Sequence, residues 1–181
     1  MTDVPETDPT CAVAHGDDIA HGYAPAPRTD RALVAVFASP VAAYLLRYAA
    51  DLEFRTVLVD PDDDRAAKAD VPPDTLVAAA VPDDLDGADV VVTDHHRPEL
   101  GAMLRDALAA PVRWIGVMGN PRHTPPHIAA LRELGVADAE IDRVHRPIGL
   151  NIGSRTPPEI AVSTIAGLLA DRAGRPGGFE F

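Results

Sequence analysis

Apolar positions along the chain fall into short unbroken blocks that alternate with stretches of helical spacing. From Ala32 the blocks ALVAVF (32–37), RTVLVD (55–60), ADVVVT (88–93) and VRWIGVMG (112–119) are continuous. Strands covered on both faces of a parallel sheet read this way. VAAYLLRYAADL (41–52) places Leu45, Tyr48 and Leu52 on one helical face, and PELGAMLRDALA (98–109) and the stretch from Pro125 to Leu134 also read as helices. TLVAAA (75–80) is short enough for an edge strand. The closing segment, PIGLNIGSRTPPEIAVS (147–163), leads into a helix that apolar residues carry to about Arg172. Thr156 stands at the N-cap, Pro157 at the first helical position, and Glu159 at capping-box spacing from Thr156. The alternation predicts the α/β class: one domain with a Rossmann-like parallel sheet and helices on both faces. Ligands would bind outside the carboxyl ends of its strands. The domain would span 31–173, with 1–30 a flexible N-terminal tail poor in large apolar groups and 174–181 a C-terminal tail.

Those carboxyl ends collect the candidate chemistry. Asp60 lies 22 residues after Ala38, where a dinucleotide fold places the acid that binds a ribose; the same residue also opens the PDDD turn. The first loop, Ala38 to Ala43, holds no glycine, which disfavours ordinary NAD binding. In Thr93–His96 an extended strand end would let only one histidine face the rim with Asp94, and His96 is taken as the rim candidate. Gly116 and Gly119 flank a turn leading to Asn120, Arg122 and His123, with Thr124 and Pro125 opening the next helix as cap and first residue. Arg122 either pairs a phosphate or stands in solvent. Gly149 and Gly153 allow the backbone to bend and approach another group. Arg155 and the first-turn amides after Thr156 would favour an anion, against the simpler reading of a stiff helix start. His127 and His145 have no partner in sequence and read as surface or satisfied core residues.

Composition narrows the classes. The 181 residues suit one domain, and the net charge of −12, with acid concentrated at 61–64 and 83–89, argues against nucleic acid as a partner. Fifteen of the sixteen basic residues are arginines, which suits a salty cytoplasm or a GC-rich genome. Cys11 is the single cysteine, so no intrachain disulfide and no cysteine-based metal cluster can form, as in a reducing compartment. His15, Asp17 and His21 lack the fixed spacing of a metal site. With no membrane-length apolar run and no signal-peptide pattern, a cytoplasmic protein that does not engage membranes is expected.

Residues 114–172 resemble the C-terminal half of the XdhC/CoxI family of molybdoenzyme maturation factors. Gly116, Gly119, Gly135 and Val136 fill one part of the family pattern. Pro147, Gly149, Leu150, Ile152 and Gly153 fill its Pro-x-Gly-Leu-x-Ile-Gly loop, and Thr156, Pro157, Glu159, Ile160, Ala161 and Ser163 the helix start. From Leu33 to His96 the layout is followed more loosely. Departures include Asn120 for serine, Asp94 for histidine, Pro158 for an acid, Gly167 for glutamate and the absent glycine loop. The resemblance implies an accessory protein without turnover of its own. Such a protein binds the molybdenum cofactor, as molybdopterin or its dinucleotide form, while a terminal oxo ligand is exchanged for sulfido. It then passes the cofactor to a xanthine dehydrogenase or CO dehydrogenase type client. Implied partners are that client and either a cysteine desulfurase or a separate polypeptide carrying the family's N-terminal domain; apolar positions 160–169 are compatible with a homodimer. The implied site gathers Asp60, Gly119, Asn120, Gly149, Gly153, Arg155 and Thr156, with His96, Gly116 and Arg122. A nucleotide-dependent oxidoreductase and a protein-interaction module docking to a molybdoenzyme stay open.

Overall fold

The continuous apolar blocks become the inner strands of a sheet, and each helical stretch becomes a helix laid across it. The computed structural model describes residues 30–120 and 122–178; the segment holding Cys11, His15, Asp17 and His21 lies outside them. The strands are β1 (Ala32–Val36), β2 (Arg55–Val59), β3 (Leu76–Ala78), β4 (Asp89–Val92), β5 (Trp114–Val117) and β6 (Val144–His145). The helices are α1 (Pro40–Asp51), α2 (Asp63–Ala67), α3 (Leu100–Ala109), α4 (Pro126–Glu133), α5 (Asp138–Ile141) and α6 (Pro157–Arg172). All strands pair in parallel, in the order β3-β2-β1-β4-β5-β6. Every residue of β1, β4 and β5 is buried, which explains their unbroken apolar runs.

Alternate strand residues serve opposite faces. Leu33, Ala35, Leu58, Val91 and Trp114 meet α1 and α6 on one side. Val34, Val57, Val90, Ile115 and Val117 join the core that α3 and α4 complete on the other. Leu45, Leu46 and Leu104 are fully buried in these layers, each worth roughly 1.5–3 kcal/mol in apolar area removed from water. The result is the expected α/β domain, with a parallel sheet flanked on both faces.

Differences lie in the short elements. α2, α5 and β6 are absent from the sequence reading, and β6 exists because two residues find β5: Ile115 is opposite Val144 and Gly116 opposite His145. α4 begins at Pro126 with Pro125 as N-cap and no side-chain capping bond, so Thr124 does not cap it as expected. The edge strand β3 leaves Leu76 and Val77 exposed. No described helix is long and apolar enough to cross a membrane.

Candidate functional site

β1 and β4 are neighbours whose chains leave toward opposite sides, and a crevice opens at such a switch point. Phe37, just past β1, is fully buried with φ 72°, a conformation costing a bulky residue roughly 1–3 kcal/mol. Hydrogen bonds hold it there. Its N–H donates to Val59 O at 2.8 Å and its carbonyl accepts from Thr93 Oγ1 at 2.7 Å. Ser39 follows where a dinucleotide fingerprint needs glycine. Its Oγ caps α1 by accepting from the Ala42 N–H at 3.0 Å and donates to Thr93 Oγ1 at 3.0 Å.

Asp60 is fully buried, and both its oxygens are engaged inside the chain. One accepts from the Ala38 N–H at 2.8 Å and the other from the Asp62 N–H at 3.0 Å. Arg97 grips both from above, the shorter contact being 3.2 Å. Asp60 therefore does not present a carboxylate to a ribose, as the sequence suggested; it locks the first loop to β2. The Arg97 guanidinium also lies over the Phe37 ring, 4.8 Å from its centre, and holds the Glu99 carboxyl below its usual range through their hydrogen bond.

A second group forms where β4, β5 and β6 end. Asp94 Oδ1 accepts from the His96 N–H at 2.9 Å, so the segment turns instead of extending, and the His95 and His96 rings lie 4.1 Å apart. The expectation that only one histidine could face this side fails for that reason. Asn120 folds its own loop, its Oδ1 accepting from the Arg122 N–H at 3.0 Å. Over this loop lies Arg146, which the sequence reading missed. Its two terminal nitrogens donate to the Asn120 and His123 carbonyls, each at 3.1 Å. Gly119 makes room for it, since a Cβ there would sit 2.6 Å from Arg146 Nε.

Arg146 has no carboxylate partner among the described residues, and its Nε is buried without an acceptor. His127, 3% exposed, likewise buries an unpaired Nδ1. Burial and the nearby Arg146 charge push the His127 imidazole below its ordinary value. His95 is lowered by burial, then by the His96 and Arg146 charges. The expectation of a surface or satisfied His127 is thus corrected. His145 stacks on Trp114 at 5.2 Å. Gly116 serves packing: a Cβ would meet the Trp114 ring at 2.1 Å and Ile148 at 2.7 Å.

The mouth of α6 does not carry free amides. Pro157 and Pro158 have no N–H. The Glu159 N–H is taken by the Thr156 side chain in a reciprocal capping box, and the Ile160 N–H donates to Thr156 O at 2.9 Å. Glu159 in turn accepts from the Arg155 and Thr156 N–H groups at 2.9 and 3.0 Å, which lowers its pKa. The anion cradle expected there is filled by the chain itself, although the Arg155 side chain is exposed. Gly149 (φ 83°) seats its loop on α6: a Cβ would stand 2.5 Å from Ser163 Oγ, and Gly167 brings the helix against its Cα. Ser163 and Leu150 exchange hydrogen bonds at 2.9 and 3.0 Å. Gly153 (φ 71°) faces open space. The structure thus brings Gly119, Asn120 and Arg122 together with Arg146 on one stretch of rim, with His95 within reach of the Arg146 charge and His96 against His95, and places Asp60, Gly149 and the α6 start in separate internal roles. No group of three or more metal-ligating side chains occurs among the described residues.

Three comparisons relate the chain to known proteins. The family model for the XdhC Rossmann domain matches residues 33–168. The uncharacterized protein YqeB of Escherichia coli (strain K12) is 43% identical over 68 residues, 38% of this chain and 13% of that protein. The crystal structure of a xanthine dehydrogenase from Bacillus halodurans superposes with a TM-score of 0.60 at 23% identity, covering 82% of this chain and 47% of that one. At that identity the likeness speaks for the fold. The chain spans less than half the length of either relative.

Proposed function

The chain belongs to the XdhC family of molybdoenzyme maturation factors, and on that premise we propose that it is a non-catalytic accessory protein. It holds the molybdenum cofactor, as molybdopterin or its dinucleotide form, and delivers it to a client molybdoenzyme. The observation that carries the site is Arg146. Three arginines that reach inward each meet a fully buried carboxylate: Arg97 meets Asp60, and Arg113 and Arg172 meet Asp89. Arg31, like Arg146, has a buried Nε without an acceptor and donates only to a carbonyl, that of Leu52, but it stands just ahead of β1, away from the carboxyl ends of the strands. Arg146 has only carbonyl oxygens, so its charge lacks a counter-ion. A phosphate supplies one, with charge-assisted hydrogen bonds worth about 1.5–3 kcal/mol each.

The residues present fit that group. The orphaned Arg146 Nε lies against Gly119, the unpaired His127 is close enough to Arg146 to feel its charge, Arg122 is exposed on the same loop, and His96 is exposed against His95. Arg146 would hold the phosphate, with Arg122 and His96 at its edge. When bound, the cofactor supplies molybdenum held by its own dithiolene sulfurs, the site of oxo-for-sulfido exchange. NAD is disfavoured because Ser39 and Asp60, at the two positions a dinucleotide uses, are engaged within the chain. A cysteine desulfurase and the client complete the proposed assembly.

Titration calorimetry of the full chain tests this. Molybdopterin should bind saturably and NAD should not. Arg146→Ala should weaken molybdopterin binding by about tenfold, near 1.4 kcal/mol. Arg146→Lys should recover part of that loss, and Arg155→Ala should leave affinity unchanged. Absence of molybdopterin binding, or indifference to Arg146→Ala, overturns the reading.

A further inference from the structure

A cleft of about 430 Å³ opens on the other half of the rim, beside the first turns of α1 and the segment of α2. That volume falls within the range of small-molecule sites, roughly 300–1,000 Å³. Its composition runs against the rest of the molecule. In a chain of net charge −12, Arg47, Arg65 and Lys68 line it, with Asp70 as the sole carboxylate among the lining residues. Lys68 is the only lysine in the chain. The nearby acids are accounted for: Asp70 pairs with Arg47, and Asp62 caps α2 and pairs with Arg65 at 3.3 Å. Asp63 and Asp64 occupy the first turn of α2 and do not line the cleft. Lys68 has no ion-pair partner among the described residues, and it lines the cleft.

The remaining wall is apolar. Ala38, Ala43 and Ala69 leave space that larger side chains would fill, and the Tyr44 ring lies along it beneath the Arg47 guanidinium, 5.5 Å away. A bare inorganic anion would leave that wall unused, so the ligand carries both an anionic group and a flat organic body. The α1 mouth offers it little, since Pro40 lacks an N–H and Ser39 takes the Ala42 and Ala43 amides, which leaves the Val41 N–H of the first turn. A phosphate here would be gripped chiefly by side chains.

We propose that this cleft is a site for a nucleoside monophosphate. Its phosphate is held by Lys68 and Arg65, and its base lies along Tyr44 and the alanine wall. The mode differs from a glycine-loop dinucleotide site because side chains of the second crossover replace backbone amides. It uses none of the residues assigned to the Arg146 rim, so it stands or falls separately from the accessory role.

The test is calorimetric titration of the full chain with AMP, GMP, CMP and UMP, and with inorganic phosphate and the four parent nucleosides. At least one nucleotide should bind saturably and at least about tenfold more tightly than phosphate or its own nucleoside. Arg65→Ala combined with Lys68→Ala should weaken it by about tenfold or more, and Lys68→Glu alone should do the same. These side chains are exposed, so the melting temperature should stay unchanged. The Ala38 and Ala69 amide signals should shift on titration, whereas Arg146→Ala should leave nucleotide affinity intact. No saturable binding by any of the four nucleotides overturns the proposal. So does equal affinity for inorganic phosphate or nucleoside, or binding that survives the Arg65/Lys68 double variant.

Discussion

Gly149 and Gly153 share a positive φ, yet a methyl group at each would meet different surroundings. At Gly153 it enters open space, so Gly153→Ala should lose only the left-handed backbone term, about 1–2 kcal/mol. At Gly149 the same term is joined by a contact 2.5 Å from Ser163 Oγ, so Gly149→Ala should destabilise distinctly more. Urea unfolding of the two variants decides it; equal losses would mean that the loop does not press on α6. Arg97 calls for a related comparison. Arg97→Met leaves the Asp60 carboxylate buried without its cation and should cost about 3–5 kcal/mol in the same measurement. His127 adds a pH dependence. Its folded pKa lies below the ordinary 6.5, so the unfolded chain binds the proton more readily. The stability it contributes is complete above that value and is lost as pH falls through the folded pKa. His95 acts in the same direction. Unfolding curves for the parent should therefore weaken as pH drops from neutral toward the folded values. His127→Phe, which cannot be protonated, should show a shallower decline; an identical slope would exclude His127 as a contributor.

At the scale of elements, Asp89 at the start of β4 joins parts of the chain that never meet in sequence. Fully buried, it accepts from Arg113 at 2.7 Å, just ahead of β5, and from Arg172 at the end of α6, whose second nitrogen donates to Gly87 O at 3.1 Å. Arg113 also reaches Asp171 at 2.6 Å. Asp89→Ala should free the last turn of α6, seen as faster amide exchange at residues 169–172 with little change in α3. Such joints are hard to read from sequence because Asp89 looks like one more member of an acidic run. The inner strands were legible because burial on both faces leaves an apolar block, and α6 because its cap residues are local. β6 and α5 were not: two and four residues carry no periodicity, and β6 exists only through β5. Arg146 was hidden with it, since its place over Gly119 depends on that pairing. The filled mouth of α6 was legible. Two prolines and a capping box already account for its first-turn amides, so the spacing that marks the helix start also closes it to a ligand.

Taken whole, the molecule sets a net charge of −12 against cations gathered at the strand tips, and this predicts how salt acts on an anionic ligand. At about 10 mM ionic strength the screening length is roughly 30 Å, so an approaching phosphate feels the repulsion of the entire acidic surface. Near 150 mM that length falls to about 8 Å, and only charges close to the rim still act. The contacts proposed for Arg146 lie within hydrogen-bond reach and are screened far less. Association of molybdopterin should therefore accelerate between these conditions while dissociation changes little, the reverse of a basic protein binding a polyanion, whose association slows as salt rises. Stopped-flow binding at several salt concentrations reads both rates. An association rate that falls with salt would mean that the local field of Arg146 and Arg122 reaches outward past the acidic surface, and that long-range repulsion does not govern encounter.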